Sequence, residues 1–225
     1  MPKHILFGLV GLILGMAIGF FGANSLNRET AVPQSTVAVP QTGSPAGNST
    51  SVPQGGMQAD VAETIAKADA EPQNFAVQMR TGDMYAQIGK FDKAIEYYIR
   101  GIMLKPSDFQ ANIVVANAYF DSRQFEDAAK YYEKALTVKP DDVNARTDFG
   151  TTFVERQNPD FERAIKEFRA ALEIQPKHEP TLYYLGIAYF RKGDRQNASA
   201  MLAELEKANP ASELIARLKQ NMSLQ

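Results

Sequence analysis

The sequence predicts an all-α protein: a solenoid of about four helix-turn-helix units with a C-terminal capping helix, preceded by one membrane-spanning helix and a low-complexity linker. Three observations predict it. Four stretches within residues 75–210 align with one another, and each closes on a proline: Pro106, Pro140, Pro176 and Pro210. The intervals of 34, 36 and 34 residues suit stacked helix pairs, because each pair leaves an apolar face that only a neighbour can cover. Ahead of them, residues 5–23 read ILFGLVGLILGMAIGFFGA without one charge, and residues 30–59 contain no Asp, Glu, Lys or Arg.

Taken in order, residues 1–4 form a short tail and residues 5–23 a helix of roughly 28 Å, enough to cross a bilayer core. A cleaved secretory signal is the alternative, since Lys3 precedes the run and Ala23, Asn24 and Ser25 offer small residues for a cut. The apolar run exceeds the usual core of such a signal, which favours an uncleaved signal anchor. Lys3 lies before the span, while Arg28 after it is offset by Glu29, so the N-terminus is expected inside and the bulk of the chain across the membrane. Gly8, Gly11, Gly15, Gly19 and Gly22 recur at steps of three and four, which puts them on one flat face. Such a face lets a second transmembrane helix, from another copy or another protein, approach closely.

Residues 24–59 are rich in Pro, Gly, Ser, Thr and Gln and cannot build a core. As a loose coil they span about 33 Å, holding the folded part near the membrane but free to turn. Asn48, Ser49 and Thr50 match a glycosylation sequon that polar linkers also produce by chance. Residues 60–72 read as a capping helix or half-repeat that covers the first unit.

The units fall at 75–108, 109–142, 143–178 and 179–210, the third lengthened by two residues around Asn158 and Pro159. Gly82, Ala116, Gly150 and Gly186 hold the matching small position in each first helix, and Ala94, Ala128, Ala164 and Ala198 that in each second helix. Small side chains let the two helices cross closely. Tyr85, Tyr119, Phe153 and Tyr189 give bulk to the first helices; Tyr98, Tyr132, Phe168 and Leu202 do so in the second. Gly89 and Gly193 stand where a left-handed residue closes a first helix, and each final proline stops a second one. Residues 211–225 add a capping helix, with Ser212 as its N-cap and Leu214, Ile215 and Leu218 on one face.

This pattern resembles the tetratricopeptide repeat (TPR) family, whose 34-residue unit is a helix-turn-helix. The chain departs from the family in lacking tryptophan and in placing Gln78, Asn112 and Arg146 where a large apolar residue is common, with Gly101 and Leu205 replacing an alanine. The resemblance implies a concave groove, lined by the first helices, that takes a protein or peptide segment. Groove candidates are Met79, Asp83, Ile113, Asn117, Phe120, Asp121, Asp148, Thr151, Glu155, Tyr183, Ile187, Phe190 and Arg191. Acids and aromatics together favour a neutral or basic segment with apolar anchors, and Asn117 is placed to hydrogen-bond its backbone. The same acids disfavour the chaperone-docking subfamily, whose groove holds terminal carboxylates with Lys, Arg and Asn; here the matching places include Met79, Asp83, Val114, Asn144 and Asp148.

Other function classes find little support. A net charge of -2 gives no basic footprint for nucleic acid. With no Cys and only His4 and His178, there is neither a thiol nucleophile nor a paired-His metal site, and no cofactor motif occurs. Asp141 and Asp142 sit in a turn, where capping the next helix is their expected role. The expectation is a non-enzymatic, membrane-anchored scaffold, in a bacterial inner membrane with the repeats on the periplasmic side. Similar layouts occur in envelope assembly factors, including cytochrome c maturation subunits, an analogy of fold alone. The alternative is a structural homo-oligomer driven by the glycine stripe.

Overall fold

The computed structural model describes the backbone of residues 54–223 and the side chains of 61–223; the expected tail, membrane span, glycine stripe and linker up to residue 53 lie outside the described residues. Among the described residues all regular structure is helical: α1 (Gln54–Ala70), α2 (Phe75–Gln87), α3 (Phe91–Leu104), α4 (Phe109–Asp121), α5 (Phe125–Val138), α6 (Val143–Glu155), α7 (Phe161–Ile174), α8 (Glu179–Lys192), α9 (Arg195–Ala208) and α10 (Glu213–Ser223). No helix among them is long and apolar enough to cross a membrane. Helix α1 begins at Gln54, so residues 54–59, expected as linker, are helical. Met57, Gln58 and Ala59 continue the helix that packs on α2, where Ala68 is fully buried and its carbonyl accepts from Gln78.

Three of the four first helices start on a residue whose side chain satisfies an orphan amide, whereas α8 starts on His178, which makes no such bond, and has Pro180 in its first turn. Asn74, Asp108 and Asp142 accept from the backbone N–H three residues on, at 3.3, 2.8 and 2.8 Å, which fixes where α2, α4 and α6 begin. Asp142 is therefore a cap. Closure is equally local: Gly89 and Gly193 adopt φ of 70° and 92°. In unit two the same place is held by Arg123, which takes φ 64° without glycine's freedom.

Helices α2 and α3, α4 and α5, α6 and α7, and α8 and α9 pair within units, and each second helix packs on the next first helix. The small residues act at these crossings. A Cβ on Gly82 would collide with the Tyr98 ring, and one on Gly150 would lie 2.6 Å from Phe168 Cε1. Ala94, Ala116, Ala128, Ala164 and Ala198 are fully buried, and ring-over-glycine contact is shared by units one and three.

Gln78 and Asn112, fully buried, and Arg146, partly buried, have a shared role at the place where an apolar residue is usual. Gln78 Nε2 donates to the Ala68 and Glu71 carbonyls at 2.6 and 3.2 Å; Asn112 Nδ2 donates to Pro106 and Asp108 at 2.9 and 2.8 Å; Arg146 donates to the Pro140 carbonyl at 2.6 Å. Each therefore reaches back to the end of the preceding element and donates to backbone carbonyls at or near the turn that follows it. Unit four has Leu182 there and no such donor.

Candidate protein-binding groove

The first helices α2, α4, α6 and α8 carry the expected groove residues, and the second helices send tyrosines between them. Tyr98 OH donates to Asp83 Oδ1 at 2.7 Å in unit one, and Tyr132 OH to Asn117 Oδ1 at 2.6 Å in unit two. Tyr132 is 2% exposed, so its hydroxyl needs a partner, and Asn117 supplies one. With its oxygen engaged, the Asn117 carboxamide has only its NH2 left to offer. In unit three the ring is Phe168 and the facing residue Thr151, whose hydroxyl donates instead to the Thr147 carbonyl at 2.9 Å.

Asp121 and Asp148 stand on either side of this pair, and both raise the Tyr132 phenol through their negative charge, after burial itself. Burial pushes the Asp148 carboxyl up to about 7, with Asp142 and Asp121 adding like charge. Asp121 is raised to about 6 by neighbouring protein that displaces part of its hydration, although much of its surface still meets water. Tyr184 is also raised, by burial and then by Asp148. The face thus combines carboxylates held back from ionising, fixed phenols and one free amide donor. It can hydrogen-bond a peptide backbone and accept a cation, while its carboxylates, once ionised, repel an incoming carboxylate.

The expected residues divide. Asp83 and Asp121 are exposed, and Asn117, Phe120 and Asp148 partly so; Asp83, Asn117, Asp121 and Asp148 neighbour the Tyr98 and Tyr132 phenols. Ile113, Thr151, Tyr183, Ile187 and Phe190 are buried, packed between helices. Arg191 is exposed but engaged, its guanidinium 2.9 Å from Glu155 Oε1. Phe120 packs edge-on against Phe125 at 5.1 Å, leaving part of its ring open as an apolar anchor. The tyrosine hydroxyls of units one and two are the groove members that sequence reasoning assigned only to seam packing. Their signal was present: Asp83 to Tyr98 and Asn117 to Tyr132 are both steps of fifteen. Among the described residues no group of three or more His, Cys, Asp or Glu could hold a metal.

Residues 70–220 match the family model described as the cilia and flagella-associated protein 70 middle TPR-like domain. The chain belongs to this TPR-like family. No curated protein matches the sequence. Among solved structures, the TPR-like chain is similar to a crystal structure of MamA, with 19% identity and a TM-score of 0.62 over 70% of this chain and 91% of that one. MamA residues 41 to the end from Desulfovibrio magneticus RS-1 align with 18% identity and a TM-score of 0.62, over 71% of this chain and 89% of that one. A thermophilic TPR protein of Thermus thermophilus gives 20% identity and a TM-score of 0.55, over 67% and 84%. These likenesses establish the shared TPR fold.

Proposed function

We propose that this TPR-like chain is a non-enzymatic scaffold that captures a neutral or basic segment of another protein on the row of first helices. The observation that carries the reading is the Tyr132 to Asn117 hydrogen bond, which leaves the Asn117 amide free to donate beside Asp121 and Asp148. A peptide carbonyl suits the amide, a Lys or Arg side chain suits the carboxylates, and Phe120 gives an apolar anchor. Binding of a cation lowers the cost of ionising both acids, so association releases protons.

The uncharged run at 5–23 is the proposed anchor and residues 24–53 the tether, with the repeats on the periplasmic side of an inner membrane. A role in envelope protein assembly, such as cytochrome c maturation, is consistent with that layout. Two experiments test the parts separately. Fluorescence anisotropy against matched peptides in which Lys alternates with Ala or Glu with Ala should favour the basic one, and Asn117→Ala with Asp148→Asn should abolish the preference; equal binding of both peptides sinks the groove reading. Alkaline extraction of membranes, followed by protease treatment of intact spheroplasts, tests the anchor and its side. Sizing in detergent with and without residues 1–28 separates the scaffold from a homo-oligomer built on the glycine stripe.

A further inference from the structure

The C-terminal helix α10 does not begin a fifth unit. Counted from the N-cap His178, the buried residues of α8 include Leu182, Leu185, Gly186 and Tyr189, at places four, seven, eight and eleven. The same places counted from Ser212 fall on Ala216, Lys219, Gln220 and Ser223, and all four are exposed. Helix α10 turns Leu214, Ile215, Leu218 and Met222 inward instead, and of these only Leu218 is fully buried. Leu214 and Leu218 fall at places two and six, where α8 has the half-buried Pro180 and Tyr184, while Ile215 and Met222 share places three and ten with the buried Thr181 and Ala188, so the inward stripe of α10 is rolled from that of a repeat helix but overlaps it. Its position has changed with it. Apart from their own second helices, α4, α6 and α8 pack mainly on the second helix of the preceding unit, whereas α10 lies mainly on the first helix α8 and less on α9.

The seat beneath α10 is a notch. In units one and three the glycine of the first helix is covered by the aromatic ring of the unit's own second helix, Tyr98 or Phe168. Unit four has Leu202 in that place, and Gly186 is covered from outside: a Cβ there would lie 2.9 Å from Leu218 Cδ2 and 3.5 Å from Met201 Cβ. Around this knob, Arg217 lies 5.8 Å from the Tyr183 ring centre and Asn221 Nδ2 donates to Tyr183 OH at 3.2 Å. Tyr183 belongs to the groove-lining helix, so α10 covers the end of the row of first helices.

We propose that Gly186, Tyr183 and Met201 form a helix-docking seat, that α10 is its resident and displaceable occupant, and that it accepts a partner's amphipathic helix with the α10 pattern. That pattern is an apolar knob with a cation one place before it and a carboxamide three places after. The seat is separate from the capture of extended segments by units one to three. Displacement is within reach because α10 has 11 residues, a length at which an isolated helix is marginal in water, and one fully buried anchor. Its covalent tether acts as an effective concentration of about millimolar, so a free helix competes poorly until α10 is released.

The test uses the full chain and a fluorescent peptide of residues 211–225. Leu218→Asp should release α10, and anisotropy should then show the peptide binding at least tenfold tighter to the variant than to the parent, while a peptide carrying the same Leu-to-Asp change stays free. In the unaltered protein, hydrogen exchange in α10 should run at least tenfold faster than in α8. A folded variant that ignores the peptide overturns the proposal, as does α10 exchanging at the rate of α8; the exchange measurement decides if the variant does not fold. Asn117→Ala should leave peptide binding unchanged, so failure of the groove reading would leave this result standing.

Discussion

The Tyr132 hydroxyl and the Asn117 carboxamide oxygen lie 2.6 Å apart, joining the core of unit two to its exposed face. Removing the donor by Tyr132→Phe leaves the Asn117 oxygen to water and should cost about 1 kcal/mol in urea unfolding. The same change should weaken binding of a basic peptide, because Asn117 is then free to turn its amide away. Tyr98→Phe should cost less, since its acceptor Asp83 is exposed and rehydrates. Equal losses at the two positions would contradict the link between burial and the Asn117 orientation.

The repeat length, the small residues at Gly82, Ala116 and Gly150, and the closing glycines at 89 and 193 were legible because each is a local steric requirement repeated at fixed spacing. Three features were not. Gln78, Asn112 and Arg146 read as defects in an apolar pattern, and only the chain's return places a turn carbonyl within 3.2 Å of each. Ile113, Thr151 and Phe190 sit in groove register but are buried by packing against neighbouring helices, which the spacing alone does not show. The roll of α10 was hidden because Ser212 and Leu214 fit the start of any amphipathic helix.

Asp148 makes stability depend on pH in a direction opposite to that of an ordinary paired carboxylate. Its carboxyl titrates near 7 in the folded protein, above the usual carboxylate range kept in the unfolded chain, so between these values the native state binds more protons. Stability therefore falls as pH rises through this window, and the penalty is complete above about 7. Asp148 is partly open to solvent, which holds the effect to about 1–2 kcal/mol. Asp148→Asn should be more stable than the parent at pH 8 and lose that advantage by pH 5, measured as the difference between urea midpoints. A variant that is less stable at pH 8 would show that the carboxylate is compensated.

Arg146 and Glu167 form an ion pair at 2.9 Å, with side chains 20% and 10% exposed. Truncating one partner strands a nearly buried charge. Arg146→Met should cost about 2–3 kcal/mol, including the hydrogen bond to Pro140, and Arg146→Met with Glu167→Leu should recover at least half of it. A double-mutant cycle in guanidinium chloride reads this directly. Additive losses would mean that Glu167 reaches water by itself.

Arg123 offers a stabilising change that can be read from the backbone alone. At φ 64° it holds the left-handed conformation that Gly89 and Gly193 hold at the same place in units one and four, and an L side chain pays about 1–2 kcal/mol for it. Its amide donates to the Phe120 carbonyl at 2.9 Å, a bond that glycine keeps. Substitution gives up a cation–π contact with Phe125 at 5.9 Å, worth about 0.5 kcal/mol at an exposed site, and adds backbone freedom to the unfolded chain. Arg123→Gly should therefore raise stability by about 0.5 kcal/mol, whereas Gly193→Arg should lower it by about 1 kcal/mol, both read from thermal melts. If both changes destabilise, the Arg123 side chain contributes more than its contact with Phe125, and the turn of unit two is held by something other than its backbone.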